Sequence, residues 1–276
     1  MNVFFRRSVY VFCGLATVFT LWLVVTMFAL SAPAAALGVV LAVGVFALVA
    51  WLLKFTPLWP AGVRLVYPLV CGLWGGCVAV SVAVLSDARG LAQVLRWPEA
   101  EMSFGGAFPE ETLKALGVVL ILFSFRELNR PWHGLVTGML VGLGFDMSEN
   151  ITYGVMGVMF DPNSDFAGAL GLWQLRFVAG PLMHAMLTGL VGFGCGWALF
   201  GAGLGRRQRE ACAVGGYALA FVLHFVWNYE FPGGLWWLGF SVVSVVGYGA
   251  LAAAVVHSVR RARVPALVGV QQPQVA

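Results

Sequence analysis

The chain has 276 residues, 61% of them hydrophobic and 10% charged, with a mean hydropathy of +0.89 and a formal net charge of +4. That composition excludes a soluble domain with an ordinary polar surface and makes lipid the solvent. The small positive balance reads as membrane topology, so no nucleic-acid partner is expected. The cysteines (Cys13, Cys71, Cys77, Cys195, Cys212) fall in or beside apolar runs without any Cys-x-x-Cys, which argues against a disulfide framework or a thiolate zinc site.

A membrane-crossing helix needs ~20 apolar residues. Such runs occupy 8–30, 34–53, 63–85, 108–125, 134–160, 173–201, 212–229 and 234–257, which predicts an all-α polytopic transmembrane bundle of about eight helices. The first run follows Arg6 and Arg7 and exceeds the ~7–15 residues of a signal-peptide core, so it is read as a span. With the N-terminus inside, the inner segments hold Arg6, Arg7, Lys54, Arg64, Arg126, Arg130, Arg206, Arg207, Arg209, Arg260, Arg261 and Arg263; the outer ones hold Arg89, Arg96 and Arg176. This bias puts both termini in the cytoplasm, and the plasma membrane is the expected compartment. Residues 1–263 are expected to form one membrane domain, and 264–276, with Pro265, Gln271, Gln272 and Pro273, a disordered tail.

Ionisable groups at membrane depth are costly and rarely idle. Pro109-Glu110-Glu111 reads as the opening turn of the fourth span, with Lys114 at helical spacing to both acids; simple capping and an oriented general base are both open. In the fifth span, Gly134, Gly138, Gly142 and Gly144 lie at small-residue spacing suited to close packing, and Asp146 stands one turn before Glu149 and Asn150. His184 lies in the sixth span after Pro181, and His224 and Asn228 share one side of the seventh. His133, in an inner loop, and His257, at the end of the last span, look incidental. Counted from the cytoplasmic helix ends, Glu111, Glu149, His184 and His224 lie at ~18–25 Å. Four helices therefore bring polar groups to nearly one level in the outer half of the bilayer.

Glu110-Glu111-Thr112-Leu113-Lys114, Gly142 to Asn150 (with Phe145-Asp146-Met147-Ser148-Glu149-Asn150), Pro181 to Gly189 and Leu223-His224-Phe225-Val226-Trp227-Asn228 resemble, in order, the motifs of the PrsW family of intramembrane proteases. That family is related to the CAAX-prenyl-protease-like group, and the resemblance covers about 105–230. Asp146 occupies a variable motif position, so no catalytic role is carried over to it.

The resemblance implies peptide-bond hydrolysis in or at the edge of the membrane, on a membrane-anchored protein. In the family's best-known members that protein is an anti-sigma factor cut in a regulated cascade. Amide hydrolysis needs an activated water, a stabilised oxyanion and a proton for the leaving amine. The residues offered are Glu110 or Glu111 as base, His184 orienting the water, Lys114 holding the acidic pair, His224 and Asn228 for the oxyanion, and Glu149 and Asn150 in support. The expected chemistry is glutamic and cofactor-free, with zinc held by Glu111, His184 and His224 as the metal-dependent option. A proton-coupled transporter or channel, and an inactive membrane scaffold, are the competing classes.

Overall fold

A computed structural model describes residues 3–86 and 88–263; the tail expected to be disordered lies outside the described residues. The described residues form helices and connecting turns, with no strand among them. In chain order the helices are α1 (Val3–Leu30), α2 (Ala32–Lys54), α3 (Val66–Leu73), α4 (Val80–Leu85), α5 (Gly90–Leu95), α6 (Glu101–Ser124), α7 (Pro131–Gly157), α8 (Asp165–Ala179), α9 (Met183–Phe200), α10 (Arg206–Asn228), α11 (Trp236–Val242) and α12 (Tyr248–Arg263). A π-helical stretch, Trp74–Ala79, joins α3 to α4, and another, Val243–Gly247, joins α11 to α12.

Six helical stretches among the described residues are long and apolar enough to cross a membrane: Val3–Leu30, Ala32–Lys54, Val66–Leu85, Asp165–Phe200, Arg206–Asn228 and Trp236–Arg263. The 24-residue α6 and the 27-residue α7 are as long and carry the ionisable side chains. The chain is a multi-pass helical membrane protein, and its outer helices turn large apolar side chains such as Leu15, Leu21, Val40 and Val43 outward.

Two helix boundaries differ from the sequence-based expectation. The fourth predicted span begins at Glu101, after a 3-10 turn over Pro98–Ala100, so Pro109 is interior and Glu110 and Glu111 sit in the third turn rather than the first. Capping cannot explain these acids, because helix-terminal effects fade beyond the first turn. The sixth predicted span is interrupted: α8 ends at Ala179 and α9 starts at Met183, with Leu182 left-handed at φ 56°. Pro181 cannot donate a backbone hydrogen bond to a continuous helix and disfavours helical geometry at Gly180 before it. His184 therefore stands in the first turn of α9 instead of deep within a helix.

Helix α7 is the spine of the bundle and packs most extensively on α9. Its glycine stripe is used as the spacing suggests: a Cβ on Gly142 would collide with the His184 carbonyl oxygen, and one on Gly138 with the Thr188 carbonyl oxygen. The two backbones touch, which holds α9 in fixed register against Asp146 and Glu149. Across the opposite face of α7, Tyr67 and Thr137 share a hydroxyl hydrogen bond of 2.9 Å, and Trp74 Nε1 donates to the Leu113 carbonyl of α6 at 2.9 Å. At one end of the bundle, Ser31 caps α2 by accepting from the Ala34 amide at 3.3 Å and donates to Asp165 Oδ2 at 2.7 Å, tying α2 to α8.

Replacing Gly142 with Val should force α7 from α9 and cost about 1–3 kcal/mol, the usual range for an overpacked core. Thermal unfolding in detergent should show a clear fall in Tm; an unchanged Tm would mean that the backbones are not in contact.

Candidate active site

The polar side chains of α6, α7, α9 and α10 converge. Glu110, Glu111, His184 and His224 each offer one carboxylate oxygen or ring nitrogen, and these atoms all lie within 4.8 Å of one another. Glu111 and Lys114 are wholly buried, and His184 and His224 are 1% and 2% exposed. The common level expected from residue counting is thus matched by side chains in one place.

Lys114 is the centre of this group. Its ammonium lies 2.6 Å from Glu111 Oε1, 2.8 Å from His184 Nδ1 and 3.5 Å from Glu110 Oε2, and sits 4.3 Å from the centroid of the Phe145 ring. An ammonium has hydrogens to give and no lone pair to accept with. His184 Nδ1 must therefore accept from it, which puts the imidazole proton on Nε2, where it is donated to Glu149 Oε2 at 3.1 Å. By the same reasoning Glu111 Oε1 accepts from His224 Nδ1 at 2.8 Å, leaving the lone pair of a neutral His224 on Nε2, 3.8 Å from Glu110 Oε2. Hydrogen bonding alone sets both tautomers. The other oxygen of Glu111, Oε2, is buried without a hydrogen-bond partner.

A cavity of about 400 Å³ opens beside the cluster; Glu110, Glu149, His184, His224 and Asn228 line it. Glu111, Lys114 and Asn150 stand behind that wall. Asn150 accepts from Arg176 Nε, and Arg176 Nη2 also pairs with Glu149 Oε2. Arg176 further lies over the Tyr153 ring, 4.1 Å from its centroid. Asn228 reaches the wall because Gly106 has no side chain: a Cβ there would strike Asn228 Nδ2. Ser103 Oγ, donating to the Phe225 carbonyl at 2.8 Å, fixes α6 against α10 at the same end.

Sequence reading missed three contributors. Asp146 accepts from the backbone N–H groups of His184 at 3.2 Å and Ala185 at 2.9 Å. Leu182, at the helix boundary, has no capping side chain, so a carboxylate from α7 satisfies the orphan donors of α9. Arg176 falls inside the predicted sixth span, and a charge there was a signal that the span is not a plain apolar helix. Gly106 carried no signal beyond standing one turn before Glu110. His133, expected in a loop, is buried in the first turn of α7, where its Nδ1 accepts from the amides of Asn129 at 3.0 Å and Arg130 at 3.2 Å; its role is capping.

The fold and the site define a class: multi-pass membrane proteins with a buried carboxylate–imidazole centre assembled from several helices. Residues 64–256 match the family described as PrsW family intramembrane metalloprotease, and the chain belongs to that family. It is also similar to Protease PrsW of Geobacillus kaustophilus (strain HTA426), with 24% identity over 157 residues; the alignment covers 57% of this chain and 63% of that protein. No solved structure matches.

Asp146→Ala should strip two buried amides of their acceptor, at about 1–3 kcal/mol for each unsatisfied group. Hydrogen exchange at Ala185 should speed up at least about tenfold, with Asp146→Asn intermediate because it retains one acceptor oxygen. Unchanged protection in the Ala variant would remove the capping role.

Proposed function

We propose that the protein is an intramembrane endopeptidase that hydrolyses a peptide bond of a membrane-anchored protein, with Glu110 as general base. The observation that carries this reading is the placement of Glu110 Oε2 at the cavity wall, 3.8 Å from both His184 Nδ1 and His224 Nε2. A water in that gap meets a carboxylate oxygen and an imidazole lone pair. Glu111 is the weaker candidate for the base, since its Oε1 already accepts from Lys114 and His224.

Glu110 takes a proton from the water as it attacks the substrate carbonyl, then delivers that proton to the departing amine nitrogen. Asn228 Nδ2 has one long contact, 3.5 Å to the Met102 carbonyl, and is free to donate to the forming oxyanion. Lys114 and Glu111 hold the imidazoles in orientation from behind. Glu149, anchored by Arg176, fixes the His184 ring.

A metal-dependent version is favoured by a separate observation, the compactness of the donor set. His184 Nδ1, His224 Nε2 and Glu110 Oε2 supply zinc-type ligands, and the 3.8 Å separations are close to the ~3.3–3.5 Å edges of a zinc tetrahedron. Glu111 and Glu149 would then steady the two imidazoles from their far sides, the usual position for supporting carboxylates. The residues fit zinc in type and spacing, provided that Lys114 withdraws from His184 toward Glu111. When bound, zinc would make an attached water acidic enough to ionise near neutral pH. The ammonium lying within hydrogen-bonding reach of three of the four donors supports the cofactor-free reading.

The arginine distribution supports cytoplasmic termini and a site facing the outer leaflet, and the plasma membrane is the compartment we assign. The substrate class that fits is a single-span regulator such as an anti-sigma factor, cut in regulated intramembrane proteolysis.

Purified protein in liposomes should cleave a single-span reporter, and Glu110→Gln should lower the rate by about 10²–10⁴-fold without loss of folded protein. A fully active Glu110→Gln would end the base assignment. Transport by the wild type with no cleavage would favour the transporter class. Metal analysis and chelator treatment separate the two chemistries: cleavage should survive chelation, whereas loss on chelation with recovery on zinc addition would transfer the mechanism to the metal-dependent version.

A further inference from the structure

The cavity is lined by two arginines, and only one of them is neutralised. Arg176 is committed to Glu149, Asn150 and the Tyr153 ring. Arg89, in the connection between α4 and α5, is exposed, and its side chain makes no ion pair or hydrogen bond with the described residues, yet it lines the same cavity.

Its position is held by packing. A Cβ on Gly105 would fall 2.7 Å from Arg89 Cγ and 3.2 Å from its Nε, so the arginine stem lies along bare backbone of α6 at that glycine. Aliphatic stems of arginine cover apolar surface while the charged head stays in a polar space, here the cavity mouth. Gly105 precedes Glu110 by five residues, ~7.5 Å along the helix axis.

We propose that Arg89 is a specificity-determining residue that receives an acidic side chain of the substrate. An extended chain advances ~3.3 Å per residue, so the acid belongs about two residues from the scissile carbonyl, on the side nearer the α4–α6 connection. The guanidinium fork suits a carboxylate in a two-point contact, and that contact answers a cavity-lining cation left unpaired among the described residues. The inference rests on the hydrolytic reading and sharpens it by naming a substrate class: membrane-anchored proteins with Asp or Glu close to the cleaved bond.

The test uses the full chain in phosphatidylcholine liposomes with single-span reporters that share one apolar span. Asp, Asn or Lys is placed singly at each position within four residues of the bond, which is mapped by mass spectrometry. Asp about two residues away should be cleaved about fivefold faster than Asn, in keeping with one partly exposed ion pair. Arg89→Lys should keep part of that preference, and Arg89→Glu should turn it toward Lys, read as the ratio of Lys to Asp reporter cleavage within each variant. Equal cleavage of Asp and Asn reporters at every position, or an undiminished Asp preference in Arg89→Glu, would overturn the assignment. Failure to cleave any reporter would bring down the hydrolytic reading and this inference together; charge-blind cleavage brings down the inference alone.

Discussion

An ammonium with no exposure to solvent governs the arrangement of the whole site. Desolvating a charge of that size costs several kcal/mol even after relaxation, so Lys114 is tolerated only where acceptors surround it. Glu111, Glu110 and His184 supply them, from α6 itself and from α9 across the bundle. Because the cation can only donate, it dictates where each neighbouring proton lies, and the order propagates: His184 turns its Nε2–H to Glu149, and His224 gives its Nδ1–H to Glu111. The electrostatic demand of one residue thereby leaves two reactive edges, Glu110 Oε2 and His224 Nε2, facing the cavity. Removing that cation would leave Glu111 as an uncompensated buried charge, a loss of about 3–5 kcal/mol in comparable pairs.

Such a network is useful only if the helices that carry it cannot drift. Lipid offers no hydrophobic drive between helices, so register must come from close backbone contact and from buried polar bonds. The glycines of α7 provide the first, bringing its backbone against the carbonyls of α9. Asp146 provides the second by holding the amides of His184 and Ala185, so the break at Gly180–Leu182 becomes a rigid start to α9. A continuous helix would have satisfied those amides internally and left Asp146 as another buried charge to compensate. The interruption and the carboxylate are best understood as one device that sets the height of His184 relative to Glu149.

How much of this is legible in sequence depends on whether a signal is additive or geometric. Apolar runs and the asymmetry of arginines add up over many residues, and they marked the multi-pass helical architecture. Depth counting works because helix rise is nearly constant, so the similar depths of Glu111, Glu149, His184 and His224 are legible from residue numbers alone. The start of α6 was misplaced because Pro109 looked like a first-turn proline; Glu101 and the turn at Pro98–Ala100 carry no apolar periodicity to betray the earlier start. Asp146 was set aside as a variable motif position, and its purpose depends on a helix break in another segment. Gly106 matters through an atom it lacks, which only the neighbour Asn228 reveals. The division of the site into a cavity wall and a supporting layer likewise needed side-chain positions, since Glu110 and Glu111 are adjacent in sequence and differ in the direction they face.

The position of the cavity constrains what a hydrolytic site here would accept. The cavity is a recess of about 400 Å³ whose wall carries Glu110, His184 and His224. The peptide group to be attacked must be released from its own helical hydrogen bond before water can approach the carbonyl. Unwinding in lipid leaves donors and acceptors unsatisfied, so it is least costly at the end of a span, near the aqueous interface, where water replaces the lost bonds. The cavity suits that: its lining comes from α4, the first three turns of α6, the C-terminal half of α7, the C-terminal ends of α8 and α10 and the first turn of α9. On the hydrolytic reading proposed above, that location favours an extended segment flanking a transmembrane span.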